Sequence, residues 1–172
     1  IFFVGVAAGY VLGETMRGYR TMLIHPSWGT ALHSDYARWV SQLMTAWIAV
    51  LGSPDSEPDK HELIEEFQEA YENVAETVGA SMPEWEAIRA ALRRAIIETS
   101  SNIVNATPQS IKEILWEDEY SWILIGGNKL NRGFTVEGLT VTYMPRGLGS
   151  GNADTVQQRA RFFGYKRSYL GY

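Results

Sequence analysis

Apolar residues in this chain fall into short unbroken runs and into longer stretches with helical spacing. Ile1 to Gly13 (IFFVGVAAGYVLG) is apolar all round. It is too short to span a bilayer and has no basic flank, so it predicts a buried helix rather than a membrane span or signal peptide. Thr21 to His25 (TMLIH), closed by Pro26, lies between turn signals and predicts a buried strand. Thr30 is placed to cap a long helix, along which Leu32, Tyr36, Trp39, Val40, Leu43 and Trp47 recur at helical spacing. Ser53 to Asp59 (SPDSEPD) has two prolines and no apolar residue, which predicts a loop. Leu63, Ile64, Phe67, Tyr71, Val74 and Val78 then mark an amphipathic helix with acidic residues on its other face and Gly79 at its end. Ser81 and Glu84 have capping-box spacing with Pro83 in the first turn, and Trp85, Ile88, Leu92 and Ile96 carry a second helix onward.

The remainder alternates. Asn102 to Ala106 predicts a short strand, and Thr107-Pro108 starts a short helix through Leu115. Ser121 to Ile125 predicts a strand ending in Gly126-Gly127, and Leu139 to Met144 another, ending at Pro145. Gly147 to Asn152 is a glycine-rich loop, after which Asp154 can cap a last helix reaching about Phe163. Strands alternating with crossover helices predict an α/β domain with a mainly parallel sheet over residues 1–172. Residues 53–100 are read as an acidic helical hairpin inserted in it.

Composition narrows the class. The 172 residues suit one domain with a real core, and 45% hydrophobic with 20% charged residues is a globular balance. The chain has no cysteine, which excludes disulfides and thiolate metal sites and fits a reducing cytoplasm, the expected location. It opens on Ile1 rather than Met, so a fragment of a longer protein is expected. Charge is unevenly spread. From Gly126 to Tyr172 seven basic residues face Glu137 and Asp154, a net of +5, so the first 125 residues carry −10 of the total −5. Ser53 to Glu86 alone has eleven acidic residues against Lys60. The acidic stretch would repel phosphate, whereas the basic tail could bind it.

Two segments carry candidate chemistry. In Ile125 to Leu139 (IGGNKLNRGFTVEGL) a strand ends in two glycines, followed by Arg132-Gly133. The carboxyl end of a strand is where α/β sheets place ligands, and an arginine held there can reach a phosphate. The alternative is a tight turn with a surface arginine. In Thr155 to Arg167 (TVQQRARFFGYKR), Arg161 lies amid Phe162 and Phe163 within a helix, with Lys166 and Arg167 after a glycine. The alternative there is a plain basic amphipathic helix.

Together, the Gly126-to-Thr135 turn, the following strand and a helix carrying Gln158 and Arg161 resemble the fifth and sixth motifs of superfamily-two helicases. The aromatic pair Phe162-Phe163 with Gly164-Tyr165-Lys166, and the stretch Met16-Arg17-Gly18 through His25-Pro26-Ser27, resemble more narrowly the Z1 domain family, helicase-like proteins found beside bacterial restriction and endonuclease genes. Ala160 stands where that family usually has glycine, and Lys166 where it usually has arginine. A lysine offers one point charge in place of a two-pronged fork.

The resemblance implies a three-layer, RecA-like second lobe completing an ATP site with a first lobe of the same protein. Arg161 would be the arginine finger, with Lys166 beside it, and Arg132 would couple the cleft to nucleic acid. Gly127, Asn128, Gly133, Thr135 and Gln158 are the expected cofactor-binding positions. ATP with Mg2+ is the implied cofactor of the full-length protein and none is expected for the fragment alone. The implied partners are the missing lobe, DNA, and restriction or endonuclease subunits, with no membrane. The rival function is a non-hydrolytic module that binds nucleic acid or protein.

No G-x-x-x-x-G-K-[ST] loop occurs, so nothing here cradles a β-phosphate. Glu117-Asp118-Glu119 resembles a magnesium-binding acidic box but precedes its strand, so a solvated turn is expected. Pro54-Asp55 with Glu57 and Lys60 has nuclease-like residue types at too tight a spacing. His25, His33 and His61 lack ligand spacing, and no metal site is assigned.

Overall fold

The computed structural model describes residues 1–16, 18–26, 30–104, 116–126 and 136–145. The long helices are α1 (Phe2–Val11), α2 (Thr30–Leu51), α3 (Pro58–Val78) and α4 (Trp85–Ile97). The strands are β1 (Arg20–Ile24), β2 (Thr99–Val104), β3 (Ser121–Gly126) and β4 (Leu139–Tyr143). They form one sheet in the order β2-β3-β1-β4, with every pair parallel. The α/β class and the parallel sheet expected from the sequence are therefore present.

Burial follows position in the sheet. All six residues of β3 are buried, and four of the five in β1. Each of these strands has a neighbour on both sides and must be apolar on both faces, which is why each reads as an unbroken apolar run. The edge strands β2 and β4 are only partly buried. Side chains alternate between the faces with period two. Ile24, Ile123 and Ile125, with Met22 and Val141, meet the helices in the larger core. Leu23, Trp122, Leu124, Val104 and Leu139 form a second cluster on the other face.

The larger core is built by α1 and α4. An all-round apolar helix is stable only when enclosed, and Val4, Val6, Ala7 and Ala8 of α1 are fully buried. Ile88, Leu92 and Ile96 of α4, four residues apart, are equally inaccessible and join the same cluster. Sequence reasoning grouped α3 and α4 as one inserted hairpin, yet α4 packs into the core that α1 and the sheet share. In α3, Leu63, Phe67 and Val74 are buried while the acidic positions face outward. Gly79 ends α3 at φ 67°, a backbone conformation that residues with a Cβ rarely adopt.

Two boundaries and the cover of one helix differ from the sequence expectation. Helix α4 begins at Trp85 with Glu84 at the N-cap and no side-chain cap hydrogen bond, and Ser81 closes a short 3-10 turn, Gly79–Ser81. The expected Ser81/Glu84 capping box does not form, because Pro83 and Glu84 stay outside the helix. Strand β2 starts three residues earlier than expected, at Thr99. Its polar opening is paired inside the protein: the Thr99 hydroxyl lies 2.6 Å from the Ala95 carbonyl oxygen and 2.6 Å from Ser121 Oγ. In α2, Trp39 and Leu43 are 50% and 47% exposed, so the apolar stripe read from the sequence is only partly covered.

Gly9 is where α1 crosses Tyr120 at the start of β3. A Cβ there would collide with the Tyr120 hydroxyl and ring. Gly9→Ala should therefore destabilise the protein, although alanine is favoured over glycine inside a helix by about 1 kcal/mol. Removing the clashing oxygen should restore part of the loss. In urea unfolding, Gly9→Ala combined with Tyr120→Phe should have a higher midpoint than Gly9→Ala alone. A Gly9→Ala protein as stable as the parent would show that the close approach does not constrain the fold.

Candidate functional site at the carboxyl edge of the sheet

A parallel sheet sends every strand's carboxyl end to one edge. Ile103, Ile125, Ile24 and Tyr143 lie in register across the four strands, with Val104 beside Gly126 one step further on. His25 follows β1 at this level. It is fully buried, and its backbone N–H donates to the Tyr143 carbonyl oxygen at 2.9 Å. From β1 the chain goes to β2, beyond β3, and from β3 it goes to β4, beyond β1. The two central strands thus send their connections in opposite directions, the arrangement that opens a crevice beyond the carboxyl ends in α/β sheets.

The candidate residues from the sequence bear on this edge only through Gly126, the last residue of β3. Gly127, Asn128, Arg132, Gly133 and Thr135 follow it in sequence and lie outside the described residues, as do Gln158, Arg161 and Lys166. The short helix expected over 107–115 and the last helix over 154–163 also lie outside them. The described part of the edge, formed by Val104, His25, Gly126 and Tyr143, is buried or apolar and has no phosphate-cradling loop. It does not by itself fit a nucleotide.

The described charged clusters hold the scaffold together. Arg20, at the amino end of β1, pairs with Glu14 at 2.7 Å. Glu98, just before β2, accepts from Arg94 Nε at 2.9 Å, and the Arg94 guanidinium lies 4.5 Å from the centre of the Tyr10 ring. Burial, followed by the Glu98 carboxylate, pushes the Tyr10 phenol well above its ordinary value. Lys60 bridges Asp55 and the Ser53 carbonyl oxygen, both at 2.7 Å, and so fastens the turn between α2 and α3. The residues with nuclease-like types are thus a loop clasp. Glu117 and Asp118 are exposed in a 3-10 turn before β3, at the edge opposite the proposed crevice. Among the described residues no three His, Asp or Glu are grouped to hold a metal ion. No helix among them is long and apolar enough to cross a membrane.

Sequence reasoning missed an apolar groove of about 390 Å³ beside this site. Trp39, Leu43 and Trp47 of α2 form one wall, Met22 and Ile123 contribute from the sheet, and Tyr143 lies at the β4 border. The signal was present in α2, whose apolar positions cover more of its circumference than one packed face requires.

The described residues thus form an α/β unit whose four-stranded sheet is parallel throughout. Within that class, a family model described as the Z1 domain matches residues 1–172, and the chain belongs to the Z1 domain family. No curated protein and no solved structure matches it.

The Glu98 cluster has a pH signature. The Arg94 hydrogen bond, assisted by Tyr10, holds the Glu98 carboxyl below its ordinary value of 4.5. A carboxyl whose folded pKa is depressed contributes stability above its unfolded pKa and loses it as pH falls through the folded value. Glu98→Gln should therefore lower the thermal midpoint at pH 7, and the gap to the parent should close as pH is taken well below 4.5. A gap unchanged down to pH 2.5 would show that the ion pair contributes nothing.

Proposed function

We propose that the chain is the second, RecA-like motor lobe of a helicase-type ATPase acting on DNA in a cytoplasmic bacterial restriction or phage-defence system. The observation that carries the reading is the reversal of connections at β1 and β3. In α/β sheets such a reversal goes with a ligand crevice at the strands' carboxyl ends, and here it falls at Gly126, directly ahead in sequence of Gly127, Asn128, Arg132, Gly133 and Thr135. Membership of the Z1 domain family and the basic charge from Gly126 onward support it. ATP with Mg2+ would be cradled by another lobe, because this chain has no phosphate-binding loop. The three-layer architecture and the insertion of residues 53–100 belong to this same reading.

In this arrangement Arg161 meets charge that develops on the transferring phosphoryl group. A contact that strengthens in the transition state acts on turnover and leaves ground-state affinity nearly unchanged. Arg161→Ala in the full-length protein should therefore cut DNA-stimulated ATP hydrolysis by about 10³- to 10⁵-fold, with ATP binding little altered. Lys166 could replace part of the lost charge, so Arg161→Ala with Lys166→Ala should be at least as severe as either alone. Arg132→Ala should weaken the coupling between DNA binding and hydrolysis. The 172-residue chain alone should release no phosphate from ATP. Full activity of a normally folded Arg161→Ala protein would replace this reading with a non-hydrolytic binding module.

A further inference from the structure

Helices α2, α3 and α4 meet around a second hollow, of about 240 Å³, whose described lining includes no residue of the sheet. Lys60 enters it from the first turn of α3, and Arg89 and Arg93, four residues apart, from one face of α4. Asp55 is the one carboxylate among its described lining residues. This charge is the reverse of the surroundings. Ser53 to Glu86 holds eleven acidic residues, and Lys60 is the single basic one. The stretch as a whole repels anions, yet its one cation and two from α4 converge on the same hollow.

The three cations are held in place but are not equally satisfied. The Lys60 side chain is 14% exposed and bonds both Asp55 and the Ser53 carbonyl oxygen, so the lining carboxylate is already neutralised. Arg89 Nη1 meets Glu86 Oε2 only at 3.4 Å, between two exposed side chains, which is a weak pair. Arg20, Arg38, Lys60, Arg89 and Arg94 each pair with a carboxylate. Arg93 alone among the described basic residues does not. Its Nε donates to the Ile48 carbonyl oxygen in the last turn of α2 at 3.2 Å, and its guanidinium lies against Gly52. Capping of α2 accounts for Nε. It leaves the terminal nitrogens of a fixed guanidinium at the hollow with no carboxylate to meet them.

Three positive lining charges against one negative leave a net of +2. An arginine fork matches the geometry of phosphate oxygens, and a lysine adds a point charge to it. At about 240 Å³ the hollow is smaller than the about 300–1,000 Å³ of pockets that enclose drug-sized ligands, so it suits one anionic group rather than a whole nucleotide. We propose that this hollow binds a phosphate group, with Arg93 and Arg89 as its ligands and Lys60 as the supporting charge. The group is either free inorganic phosphate or one phosphate of a nucleic-acid backbone. This inference goes beyond the ATPase reading and stands without it, since no residue of the sheet's carboxyl edge takes part.

Two probes separate the sources: inorganic phosphate and a short oligothymidylate. Each is titrated into the nitrogen-15-labelled 172-residue chain at pH 7 and constant ionic strength, with chloride as the balancing anion. The amide signals of Gly52, Ser53 and Ala90 report the hollow. Inorganic phosphate should shift them saturably if the free ion is accepted. A response to oligothymidylate alone assigns the site to the nucleic-acid backbone and supports the proposal equally. Arg93→Ala and Arg89→Gln should each weaken the saturating probe by at least about tenfold, as expected for the loss of one charge-assisted hydrogen bond. Arg38→Gln, an equal charge change on α2 outside the hollow, should leave its affinity nearly unchanged. Arg89→Gln removes only the long pair with Glu86, so it remains decisive if Arg93→Ala does not fold. No saturable response at these amides with either probe would overturn the site. So would a response that Arg89→Gln leaves intact or that Arg38→Gln weakens as much. None of these outcomes depends on ATP hydrolysis, so a failure here is distinct from a failure of the motor reading.

Discussion

Everything described depends on the enclosure of β3. Its six residues are buried, and it is bonded to β2 on one side and β1 on the other. Ile123 and Ile125 meet the helical layer, while Trp122 and Leu124 enter the second cluster. Burying one such side chain contributes about 1.5–3 kcal/mol relative to leaving it in water. A strand enclosed this way can begin with a polar residue only if that residue is paired. Ser121 is fully buried, and it pairs with Thr99 of β2. This one contact joins the start of β2 to the start of β3 and, through the Ala95 carbonyl, to the last turn of α4.

That pairing also explains which parts of the fold could be read from the sequence. The inner strands were legible because enclosure on both faces demands unbroken apolar runs, as in Thr21 to His25 and Ser121 to Ile125. The edge strand β2 was displaced in the reading because Thr99, Ser100 and Ser101 have no apolar signature. Their assignment rests on a partner 22 residues away, which no local pattern reveals. The start of α4 was misread for a related reason. Ser81, Pro83 and Glu84 have the spacing of a cap, but the chain first makes a 3-10 turn and enters the helix only at Trp85. Helical spacing identified α2 correctly, yet spacing cannot say which half of a broad apolar stripe will be covered.

The candidate site was legible differently. Its residues were recognised by resemblance and by glycine and arginine spacing, and the described structure supplies their context without reaching them. What it adds is topology. A local pattern can reveal the order of strands along the chain, whereas a switch point depends on their order in space, with β1 between β3 and β4. That spatial order makes the ends of β1 and β3 neighbours that send their connections in opposite directions.

The distribution of polar groups fits a division between a stable end and an open one. Arg20 with Glu14, Thr99 with Ser121, and Glu98 with Arg94 and Tyr10 gather at the amino ends of the strands or just before them. Each ties a helix or loop to the sheet, so changes there should act on stability. At the described part of the carboxyl edge the backbone N–H of His25 donates to the Tyr143 carbonyl oxygen. Parallel backbone pairing and apolar packing hold that edge. Chemistry can then be added by the segments that leave it while the amino end keeps the sheet in place.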